Sequence, residues 1–121
     1  MGEARKVTPK RGDVFLVNFD PTIGAEMQKT RPALILQNDI GNRYSPVTIV
    51  AAISSLDGAV VYPTEVPIEP GEGGIDRRSV VLLNQIRTID KRRIARKLGA
   101  LNAASIERVD AALLISLGLT R

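Results

Sequence analysis

A succession of short apolar runs, each stopped by Gly, Pro, Asn or Ser, fills this chain until one helical stripe closes it, and that pattern limits the fold more than anything else. From 13 to 19, apolar side chains occupy both phases of a two-residue alternation, Val14 and Leu16 on one, Phe15, Val17 and Phe19 on the other. A strand of that kind is covered on both faces. Pro32 to Asn38 is a second apolar run of strand length, followed by a turn-rich stretch from Asp39 to Pro46; the two runs are expected to pair antiparallel. Val47 to Ile53 is rich in β-branched residues and ends at Ser54 and Ser55, ahead of a turn at Leu56-Asp57-Gly58. Tyr62 to Ile68 carries Pro63 and Pro67, which places it at a sheet edge because proline cannot donate to a ladder.

Glu69 to Asp76 reads as plain loop. Ser79 to Leu83 and Gln85 to Ile89 form one strand through a bend, Asp90 to Arg93 one helical turn, and Ile94 to Leu98 a last strand. Asn102 then suits a helix N-cap, with Ile106, Val109, Leu113 and Leu117 on one stripe up to Gly118. The expected fold is mainly β with a C-terminal α-helix, a small and strongly bent antiparallel sheet or barrel. Residues 1–10 are expected to be a flexible tail and residues 11–121 a single domain.

Between the first two strands, a loop runs from Asp20 to Thr30 and leaves through Arg31-Pro32. It is longer than the usual hairpin connection, and surplus loop tends to carry function. Proline holds its predecessor out of the helical region, so Arg31 is expected to be extended and anchored at the start of a strand. The chain has no Cys and no His among its 121 residues. Disulfides, thiolate metal sites, and imidazole or thiol catalysis are therefore excluded, which leaves Arg, Lys, Ser, Thr, Tyr, Asp and Glu to do any chemistry. The carboxylates near the loop, Asp13, Asp20, Glu26 and Asp39, do not have the spacing of a divalent-cation site, and no cofactor is expected. Gly71, Gly73 and Gly74 lack the following Lys-Ser/Thr of a phosphate-cradling loop.

The net charge is +4, and Arg77, Arg78, Arg87, Lys91, Arg92, Arg93, Arg96 and Lys97 cluster against a single carboxylate, Asp90. A stretch like this attracts a polyanion or an acidic protein. Aromatic residues make up only 3% of the chain, too few for a broad base-stacking platform, although Phe15, Phe19, Tyr44 and Tyr62 offer a contact or two if exposed. No apolar run has the length of a membrane span and no secretory signal opens the chain, so a cytoplasmic protein is expected.

The order of these blocks resembles one family. RGDVFLVNFDPTIGAEMQKTRPALILQND, then SPVTIVAAIS, YPTEV and QIRTIDK, are similar to the MazF/PemK toxins of bacterial type II toxin–antitoxin systems. The resemblance implies an SH3-like barrel of the plasmid-toxin type, a homodimer, and a metal-independent, sequence-specific endoribonuclease that cuts single-stranded mRNA and is blocked by an acidic MazE-like antitoxin. It places the catalytic arginine at Arg31 and the catalytic hydroxyl at Ser54, where relatives usually carry threonine. Glu26, Gln28, Lys29, Thr30, Asn38, Glu65, Asn84 and Gln85 are then the residues expected to contact RNA. Two other readings stand beside it: a CcdB-like poison that binds DNA gyrase and cuts nothing, and a non-catalytic module that binds RNA or antitoxin.

Overall fold

The computed structural model describes residues 8–19, 30–56 and 61–119. Its elements are β1 (Asp13–Asn18), β2 (Thr30–Ile35), α1 (Asp39–Tyr44), β3 (Val47–Ser55), β4 (Glu65–Ile68), β5 (Ser79–Asp90), β6 (Ile94–Ala100) and α2 (Ala103–Ser116), with single 3-10 turns at Glu72–Gly74 and Lys91–Arg93. The strands form one six-stranded sheet in the order β4-β5-β3-β2-β1-β6, antiparallel at every pairing. The proline-bearing strand β4 is an edge, as expected.

Two apolar clusters follow from side chains alternating across the sheet. On one face Val14, Leu34, Ala51, Ile53, Val66, Ile68, Val81 and Leu83 pack with Val109 and Ala112 of α2. On the other, Phe15, Val17, Phe19, Ala33, Ile35, Val50 and Ile89 gather with Ile94. Full burial of such side chains is worth about 1.5–3 kcal/mol each, which is why β1 and β2 carry apolar residues on both phases. The sheet is rolled: the guanidinium of Arg87 in β5 lies 5.2 Å from the ring centroid of Phe19, just past the end of β1, although β3 and β2 separate those strands in the sheet. This rolling is the barrel-like curvature the sequence anticipates.

Asn102 caps α2, its side chain accepting from the N–H of Ser105. The stripe that α2 buries is Ser105, Val109 and Ala112, flanked by partly buried Ile106 and Leu113. Leu117 was expected on that stripe, but it follows the last turn and is 58% exposed.

Three segments depart from the sequence reading. The turn-rich stretch after β2 is helical from Asp39 to Tyr44, capped by Asn38, whose side chain accepts from Gly41 N–H. A helix this short has little stability alone. It is held by Asn42, which is fully buried: its Oδ1 accepts from Thr48 Oγ1 at 2.7 Å and from Gln37 Nε2 at 3.1 Å, and its Nδ2 donates to Gln37 O at 2.8 Å. The glycine-rich loop is a 3-10 turn pressed against β6. A Cβ at Gly74 would lie 1.9 Å from Leu98 O, and one at Gly99 2.7 Å from Gly73 C. These glycines serve close backbone packing. Nor does a frayed tail extend through residue 10, since Pro9 is buried and Lys10 N–H donates to Asp13 Oδ2 at 2.9 Å.

A candidate RNA-cleavage surface at the β2–β3 end

Pro32 breaks the α preference of Arg31, and β2 begins extended at Thr30 and Arg31, both exposed. On one side Arg31 pairs with Val17 of β1. On the other, β2 and β3 register Ala33 with Ala52, Leu34 with Ala51, and Ile35 with Val50. Carrying that register two residues further puts Arg31 opposite Ser54. Residues opposite one another in antiparallel strands have Cβ atoms about 4.5–5.5 Å apart and share a face. That face carries Phe15, Val17 and Ala33, away from α2. Arg31, at the start of β2, and Ser54, near the end of β3, thus share one face at one end of the sheet.

The Ser54 side chain is half-buried. Its hydroxyl lies 3.5 Å from Ser55 O, the outer limit of a hydrogen bond.

The same ladders place the other expected contacts. Glu65 pairs with Leu82, Leu82 with Ala52, and Ala52 with Ala33, so Glu65 lies on the Arg31–Ser54 face, one row along. Its Oε1 accepts from Tyr62 N–H at 3.1 Å, which fixes the carboxylate beside the start of β4. Ala51 pairs with Ile86 but Ala52 with Leu82, so Leu83, Asn84 and Gln85 bulge out of the β3–β5 ladder. Leu83 turns into the core and its N–H donates to Thr64 O at 2.9 Å, while Asn84 and Gln85 are exposed. Thr30 pairs with Asn18 at the end of β1.

Asn38 is not brought to this group. It lies past the opposite end of β2, about 20 Å from Arg31 along the strand direction, and its side-chain oxygen is engaged in capping α1. Glu26, Gln28 and Lys29 lie outside the described residues.

Of the aromatics, Phe15 and Phe19 are buried, at 2% and 1% exposure, whereas Tyr62 and Tyr44 are exposed. Sequence reasoning passed over Arg87. It looks like one member of a basic run, but the fold turns it back across the sheet onto Phe19. The signal available was its phase in Gln85-Ile86-Arg87-Thr88-Ile89, where it lies two residues from Ile89 and so shares the face of that apolar residue.

Elsewhere in the basic run, Asp90 accepts from both the backbone N–H and the side chain of Arg92. The side-chain bond to Arg92 holds its carboxyl down to about 2. Among the described residues no group of three acidic residues is arranged to hold a metal ion. A cavity of about 180 Å³ between β4 and α2 is lined by Pro63, Glu65, Pro67 and Ile115, and one of about 460 Å³ flanks α1 at Lys10, Ile40 and Tyr44. Neither contains Arg31 or Ser54.

Residues 10–117 match the family described as the PemK-like, MazF-like toxin of type II toxin–antitoxin systems. The chain is 48% identical over 110 residues to Endoribonuclease EndoA of Bacillus subtilis (strain 168), covering 91% of this chain and 95% of that one. Among solved structures, MazF (Form-I) from Deinococcus radiodurans is 30% identical, with a TM-score of 0.77 over 93% of this chain and 98% of the other. MazE–MazF (Form-II) from the same organism is 28% identical, with a TM-score of 0.74 over 94% and 99%.

Proposed function

Because the chain belongs to the PemK-like, MazF-like toxins of type II toxin–antitoxin systems, we propose that it is a growth-inhibiting endoribonuclease that cuts single-stranded mRNA at particular sequences without a metal ion. What supports this reading is the β2–β3 pairing of Ala33 with Ala52, from which Arg31 and Ser54 are each two residues on, toward the same end of the sheet and in the same alternation phase. The RNA's own 2′-hydroxyl attacks the adjacent phosphorus and the bond to the 5′-oxygen breaks. The products end in a 2′,3′-cyclic phosphate and a 5′-hydroxyl. Arg31 offers a planar, permanently charged fork to the phosphorane oxygens, whose negative charge grows toward the transition state. Ser54 donates to the same phosphate and keeps attack and departure in line.

One proton leaves the 2′-hydroxyl and one reaches the departing 5′-oxygen. Arg31 delivers the second. A guanidinium, charged throughout, does not accept the first. Glu26 is our candidate base. Thr30, Glu65, Asn84 and Gln85 are the described residues we assign to base recognition. Unpaired bases are favoured because they expose their Watson–Crick edges.

The protein acts in the cytoplasm as a homodimer and is neutralised by an acidic MazE-like antitoxin, a partner matched to its charge of +4. Among the described residues no helix is long and apolar enough to cross a membrane. The test is incubation of the purified protein with mixed single-stranded RNA in EDTA, followed by sequencing and end analysis. Fragments with cyclic phosphate ends are expected, and a single 2′-deoxyribose at the cut position is expected to abolish cleavage. Cutting next to that deoxyribose rejects transesterification. Intact RNA together with inhibited DNA supercoiling points instead to a gyrase poison.

A further inference from the structure

We infer that Arg87 binds a phosphate of the RNA other than the one that is cut, which rests on the cleavage reading above. Arg87 is half-buried and its guanidinium lies on the ring of Phe19. Three cations of the basic run are paired with carboxylates: Arg92 with Asp90, Arg78 with Glu69, Lys97 with Asp13. Arg87 is not; among the described residues no carboxylate lies within ion-pair distance of it. An aromatic face orients a guanidinium without cancelling its charge. A partly desolvated cation held in this way is fitted to take an anion from solution.

The place of that anion follows from the fold. Phe19 is two residues past Val17 on the same face, about 7 Å along the chain, and Val17 is the β1 partner of Arg31. Arg87, on Phe19, and Arg31, paired with Val17, therefore lie along one face of β1. A strand with its scissile phosphate on Arg31 passes a neighbouring phosphate over Arg87. This contact adds binding energy without touching the reacting atoms, so it belongs in KM rather than kcat.

The test uses a short RNA spanning one mapped cut, with an uncharged methylphosphonate placed at each non-scissile position in turn, cleaved by the parental protein, Arg87→Gln and Arg87→Lys. In the parental protein one position is expected to raise KM about tenfold to a hundredfold. Arg87→Gln raises KM on the unmodified RNA by a similar factor, is indifferent to the methylphosphonate at that position, and loses about one unit of salt slope. Arg87→Lys recovers part of the loss. A penalty for Arg87→Gln that is the same on every substrate, including a dinucleotide whose only phosphate is cut, assigns Arg87 to holding Phe19 and overturns the proposal. Parental kinetics in Arg87→Gln overturn it as well. RNA left intact by the parental protein overturns the cleavage reading itself, and this assignment with it.

Discussion

The two ends of the β1–β2 hairpin hold similar residues and use them in opposite ways. At the end where β1 begins, Arg11 donates through Nε to Leu36 O at 2.9 Å and through a terminal nitrogen to Asp110 at 2.7 Å, while its backbone N–H meets Asp39 Oδ1 at 2.7 Å. Gly12, at φ 95°, donates to Ile35 O and accepts from Leu101 N–H. Asp13 takes Lys10 N–H and the Lys97 ammonium. The Arg-Gly-Asp triplet is thus a clamp that joins β1, β2, α1 and α2. At the other end, among the described residues the Ser54 hydroxyl meets the carbonyl of Ser55 at 3.5 Å, and Arg87 leans on a ring. At the first end polar groups are satisfied by the protein and join its elements; at the second, the described residues offer Ser54 and Arg87 weaker polar partners.

That contrast is broken or sharpened by substitution at both ends. The largest expected effect on chemistry is at Arg31: Arg31→Ala lowers turnover about a hundredfold to a thousandfold with an unchanged melting temperature, read from single-turnover cleavage beside a thermal melt. At the clamped end, Asn42→Ala strands Thr48 and Gln37 and is expected to cost about 2–4 kcal/mol in urea unfolding, with unaltered cleavage per folded molecule. Arg11→Ala costs less, about 1–3 kcal/mol by the same measurement, because its ion pair with Asp110 is half-exposed. Ser54→Ala lowers turnover about tenfold, and Ser54→Thr matches or exceeds the parental rate, because the added methyl narrows the hydroxyl's rotamers. A tenfold loss on Arg11→Ala with an undisturbed melt, or a destabilised Arg31→Ala, reverses the division of labour.

The smallest effect is the acid response of Asp90. Its carboxyl is lowered from 3.8 to about 2 in the fold, so its contribution is fully present above about pH 4 and fades as the pH falls through 2. Asp90→Asn is expected to melt slightly lower than the parent at pH 7. The gap closes on acidification, as followed by circular dichroism.

Much of the fold is legible in the chain because local chemistry and tertiary role agree. Asn102 caps the closing helix, Pro63 and Pro67 mark the edge, and the double-phase apolar run of β1 is covered on both faces. Where they disagree the sequence misleads. α1 contains Gly41 and Asn42, both poor helix formers, and exists because Asn42 is satisfied by Thr48 and Gln37. Gly73 and Gly74 look like surplus loop because the backbone they approach lies in β6, far along the chain.

The candidate site divides the same way. Arg31 stands out through Pro32 and Ser54 through its position at a strand end, but that they stand opposite one another depends on β2–β3 register, which no local signal states. Arg87 was lost in a run of like charges because its partner ring comes from β1.

The slack in β5 has a consequence of its own. Since Leu83 alone anchors the outpouching to the core, the neighbouring side chains at 84 and 85 are exchanged at almost no cost to strand alignment. Residues 84 and 85 are thus free to vary over evolutionary time while the ladders that carry Arg31 and Ser54 stay put.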